Sequence, residues 1–166
     1  NTISVTIATN VPLCAKDCHA QITINNLNGA VVNNGDIRLQ ASSDAGHETD
    51  RDTFAASPKG TPGYGKWMEN RLILFLTCCF ECNKEYRFGF NVINQNCQRP
   101  AEEITIESTN ADNLVAIETT SMQASHQNLI LGGRKTTLEI IEPKFTVRNV
   151  SQSSSAPCDT NTITVT

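Results

Sequence analysis

The sequence predicts an all-β fold, an antiparallel two-sheet β-sandwich of jelly-roll or Greek-key type. Three observations carry that prediction. Apolar and polar residues alternate along most of the chain, the period of a strand with one buried face. Turn signals interrupt the alternation at short intervals. No stretch shows the 3.6-residue period of an amphipathic helix. At 166 residues the chain is long enough for one domain with a real core.

The elements follow in order. Ile3, Val5 and Ile7 alternate with Thr2, Ser4 and Thr6. Ile22 and Ile24 stand between Gln21, Thr23 and Asn25, and Ile37, Leu39 and Ala41 continue the pattern. Residues 42–66 are the least regular part and read as a long polar loop. The run Leu72 to Leu76 leads to the strongest stripe, Tyr86, Phe88, Phe90 and Val92. Ile104 and Ile106, Leu114 to Ile117, Leu138 to Ile141, Phe145 with Val147, and Ile163 with Val165 complete the set. Turn residues lie at Asn25 to Gly29, Asn33-Asn34-Gly35, Pro58 to Gly65, Asn94 to Pro100 and Gly132-Gly133. About nine or ten short strands result, a spacing that suits a sandwich. Ile22, Ile24, Phe88, Phe90, Val92 and Ile140 are the expected core.

Composition narrows the function. Hydrophobic residues make up 39% and charged residues only 18%, so polar uncharged side chains dominate the surface. A net charge of -4 gives no pull toward nucleic acid. No apolar run approaches the length of a membrane span. Seven cysteines point to an oxidising, extracellular location. Asn149-Val150-Ser151 is an N-glycosylation sequon that fits it. The sequence opens directly on a strand without a signal peptide, which predicts a processed chain or a segment of a longer one.

The chain ends as it begins. Asn161-Thr162-Ile163-Thr164-Val165-Thr166 matches Asn1-Thr2-Ile3-Ser4-Val5-Thr6 at all positions but one, Thr164 for Ser4. The match predicts a tandem repeat. Residues 1–160 are then one β-sandwich repeat, and 161–166 are the first strand of the next repeat or a donor strand. Strand donation places Ile163 and Val165 where Ile3 and Val5 lie in an equivalent domain, and head-to-tail donation propagates as a filament.

Several segments carry a family resemblance. Beside the matching ends stand Ile22-Thr23-Ile24-Asn25-Asn26-Leu27-Asn28-Gly29 and Gly65-Lys66-Trp67 ahead of Arg71 to Thr77. Tyr86 to Asn94, Ile104-Thr105-Ile106-Glu107-Ser108, and Phe145 through Pro157 follow. This layout resembles the repeated β-sandwich domains of very large surface or secreted proteins of algae and other protists. The cysteines depart from that pattern. The resemblance implies an extracellular, wall-like or fibrous role with no catalytic residues, and subunits of glycan-coated fibrils are the nearest comparison. Implied partners are further copies of the chain and covalently attached glycans, at Asn149 and on the Ser153 to Pro157 stretch. Neither nucleic acid nor a membrane span is expected, and no cofactor.

The remaining motifs admit two readings each. Cys79-Phe80-Glu81-Cys82 has redox spacing, but it sits between strands rather than at the start of a helix. With Cys14 and Cys18 it could build a four-cysteine zinc site. The compartment favours structural disulfides instead. Strand direction predicts Cys97 with Cys158, and Cys14 and Cys18 with two of Cys78, Cys79 and Cys82. His19, His47 and His126 have no metal-ligand spacing. Asp44, Glu48, Asp50 and Asp52 read as a solvated acidic loop in preference to a weak calcium site. Trp67 reads as a core residue in preference to forming a sugar-stacking platform with Tyr64. A carbohydrate-binding or adhesive module is the alternative function, and a jelly-roll hydrolase would need paired carboxylates that the sequence does not commit.

Overall fold

The computed structural model describes residues 1–13, 20–95, 102–109 and 117–123, and the backbone alone of 150–152 and 163–165. The strands in chain order are β1 (Thr2–Ile7), β2 (Gln21–Asn25), β3 (Ala30–Val31), β4 (Gly35–Arg38), β5 (Gln40–Ala41), β6 (Phe54–Ala55) and β7 (Tyr64–Met68). Then come β8 (Arg71–Leu76), β9 (Tyr86–Asn91), β10 (Ile93–Asn94), β11 (Thr105–Thr109), β12 (Ile117–Ser121), β13 (Val150–Gln152) and β14 (Ile163–Val165). One 3-10 turn, Asp50–Thr53, is the only helical element among the described residues.

Two antiparallel sheets face each other. The larger runs β12-β11-β2-β8-β7-β4, with β6 also on β8; the smaller runs β1-β9-β5. Period-two alternation builds the layer between them. Ile22 and Ile24 of β2 meet Phe88 and Phe90 of β9 in one apolar cluster. Aromatic rings span it: Trp67 packs at 6.2 Å from Phe90 and Phe54 at 4.9 Å from Phe88, both tilted, a favourable ring geometry. Ile22, Ile24, Phe88, Phe90 and Val92 are all buried as expected. Ile140 and the strands expected over 138–147 lie outside the described residues, as do Leu114 to Ala116.

Two expectations change. Ile37, Leu39 and Ala41 do not belong to one strand. β4 pairs with β7 in the large sheet and β5 pairs with β9 in the small one, so the chain changes sheets at Leu39. Leu39 is fully buried at that corner, and its N–H donates to Gly63 O at 2.9 Å. Ala41, past the corner, is exposed. The supposed loop 42–66 holds the 3-10 turn, β6 and the start of β7. The β7–β8 hairpin closes through Glu69 and Asn70, with φ of 51° and 63°. Positive φ at both central residues is the type I′ geometry, whose twist matches that of paired strands.

Candidate assembly edge

β1 lies on β9 with Ile3 opposite Phe90, Val5 opposite Phe88 and Ile7 opposite Tyr86. Val5 and Ile7 are buried, Ile3 is half-buried, and Thr2, Ser4 and Thr6 are exposed. The ladder continues one residue upstream. The Asn1 ammonium donates to Val92 O at 2.9 Å, and Val92 N–H donates back to Asn1 O at 2.8 Å. Backbone direction alternates along a strand. Ile3, Val5 and Ile7 therefore turn their N–H and C=O groups to β9, while Thr2, Ser4 and Thr6 turn theirs to the outer edge. No strand pairs with that edge among the described residues. Thr2 Oγ1 also donates to Asn91 Oδ1 at 2.8 Å, which helps set the register.

A solvent-open groove of about 400 Å³ lies beside the far end of β1, where the two sheets part. Ile7, Leu13, Ile22, Ile106, Ile117 and Met122 supply its apolar wall. β11 and β12 slip register between Ile106 and Ser108. A bulge of this kind bends a strand and adds twist. At the opposite end of β1, beside Asn1, exposed Ile93 and Val31 stand directly opposite each other on the β3–β10 ladder.

The terminal strand has its own partner. β14 pairs antiparallel with β13: Val150 opposite Val165, Ser151 opposite Thr164, Gln152 opposite Ile163. β14 thus covers the three residues that correspond to Ile3, Ser4 and Val5.

The cysteine loop between β8 and β9 is held firmly. Leu13 and Phe80 exchange two backbone hydrogen bonds of 3.1 Å. Phe80 is fully buried and stacks on Tyr86 at 3.9 Å. The Cys82 thiol donates to Asn10 O at 3.2 Å. Cys79 is disulfide-bonded, whereas Cys78 and Cys82 are exposed free thiols. This corrects the expectation that two of the three central cysteines are bridged: only one is. Cys14, Cys18, Cys97 and Cys158 lie outside the described residues, and so does Asn149.

Of the acidic loop, Asp44, Glu48 and Asp52 are exposed as expected, and Asp50 alone is taken inside. Asp50 is buried, and its carboxylate accepts the Arg87 backbone N–H at 2.8 Å while bonding His47 Nδ1 at 2.6 Å. β5 stops at Ala41, so Asp50 takes the place of a strand along β9. The Arg87 side chain bonds Glu85 at 2.5 Å and Asp44 at 2.6 Å. These two carboxylates, Glu85 first, raise its pKa above the ordinary arginine value. Among the described residues no group of three His, Cys, Asp or Glu side chains is placed to hold a metal. Trp67 is buried, leaving no sugar platform with half-buried Tyr64.

The sequence pointed to β1 and the terminal strand. It gave no sign of the groove, because Leu13, Ile22, Ile106 and Met122 come from four separate segments. Set against protein-family models, curated proteins and solved structures, the chain matches none.

Proposed function

We propose that the chain is a structural repeat of an extracellular, glycosylated fibril or surface layer, assembled head-to-tail by strand sharing. One observation carries this: residues 161–166 match residues 1–6 at all positions but one, and these make up most of β1, the strand that docks on β9 through alternating inward positions. A segment with the same alternation fits the same site on an equivalent domain. The polar, weakly charged surface and the seven cysteines support an extracellular setting.

The occupied β9 site favours one version of the assembly. Residues 1–6 already fill it in their own domain. In a continuous chain residues 161–166 simply become the next β1. Separate subunits would have to release β1 first. Replacing Ile163 and Val165 with Asp is the test. In a two-copy chain sharing residues 161–166, the first domain is expected to fold as before, because it keeps its own β1, while the second loses stability to urea. A second domain as stable as in the unaltered two-copy chain would overturn the proposal.

A further inference from the structure

We infer that each repeat lends its neighbour two strands, with Val150–Gln152 covering the outer edge of the next repeat's β1. This rests on the strand-sharing proposal above and names the occupant of an edge that the proposal leaves open.

The argument is one of edges. A β-strand has two, and β1 uses one for β9 and leaves the other unpaired among the described residues. When β14 serves as the next β1, its inner edge belongs to the next β9. β13 is already laddered to β14 and is tied to it by residues 153–162. It can stay paired only on the outer edge. The observed register then sets Val150 opposite the Val5 position, Ser151 opposite the Ser4 position and Gln152 opposite the Ile3 position. The small sheet becomes β13-β1-β9-β5, antiparallel at every step, since β1–β9, β5–β9 and β13–β14 are each antiparallel. An unpaired edge is a template for any passing strand. A cover built into the preceding repeat limits it to the right partner.

The test uses a two-copy chain in which residues 161–166 of the first copy stand as the first six residues of the second. Amide hydrogen exchange is read at these residues. Protection at Ile163 and Val165 reports docking on the second copy's β9. Protection at Thr162, Thr164 and Thr166 reports a strand on the outer edge. Both sets are expected to exchange about tenfold or more slowly than in an unpaired strand, while Thr2, Ser4 and Thr6 of the first copy exchange fast. Ser151→Pro removes a ladder N–H. It is expected to free Thr164 and to leave Ile163 and Val165 protected. Slow exchange at Ile163 and Val165 with fast exchange at Thr162, Thr164 and Thr166 would overturn this inference and leave strand sharing standing. Protection of Thr164 that survives Ser151→Pro would also overturn it. Fast exchange at Ile163 and Val165 would overturn strand sharing itself.

Discussion

Asp50 shows how one side chain can replace a strand. Its carboxylate meets the Arg87 N–H where β5 no longer reaches. Removing it leaves a buried donor without a partner, a loss of about 1–3 kcal/mol. Asp50→Ala is expected to lower the urea midpoint by that amount of stability, followed by Trp67 fluorescence. Gly65 presents the opposite problem. A Cβ there would stand 2.7 Å from Leu72 Cδ1 and 2.9 Å from Leu74 Cδ2, and both leucines are fully buried. Gly65→Ala is therefore expected to cost about 1–3 kcal/mol through overpacking, read by the same titration. The inward residues of β2 and β9 were legible in the sequence, because alternation needs only neighbours to be seen. Asp50 was not. An acidic cluster displays charge, and its decisive partner lies 37 residues away.

At the scale of the element, among the described residues, strands with regular alternation were found and those made by turns were missed. β7 escaped because its hairpin turn, Glu69-Asn70, lacks the Asn-Gly signature that a type I′ turn favours. Glu69 holds φ at 51°, a conformation that Asn tolerates better than Glu. Its carboxylate contact with Arg71 at 3.0 Å is exposed and contributes little. Glu69→Asn is thus expected to raise stability by about 0.5 kcal/mol, visible as a higher thermal midpoint. The change of sheet at Leu39 was hidden for another reason. Leu39 continues the alternation of Ile37 while the backbone on either side pairs with different sheets, and periodicity carries no record of which sheet a strand joins.

Over the whole molecule, the state of the central cysteines is open to a direct chemical test. Iodoacetamide applied without reduction is expected to alkylate Cys78 and Cys82 and to spare Cys79, as peptide mapping would show. Alkylated Cys79 would contradict the arrangement. Glycosylation is a second whole-molecule expectation: residues 1–166, secreted on their own from a eukaryotic cell, should weigh more than the 18.1 kDa of the bare polypeptide. The matching ends were plain in the sequence, but what β1 docks against was not, since the edge and the groove arise only when distant segments meet. The β1–β9 ladder also has a mechanical side. Its six register pairs lie side by side along one strand. Tension drawn along the axis of β1 loads them together in shear, so the strand must slide as a unit before it lets go. Tension across the axis would open them one at a time, like a zip. A fibril whose repeats are joined through this strand, pulled along its length with the strand axis parallel to the load, would resist at each joint with the whole ladder at once.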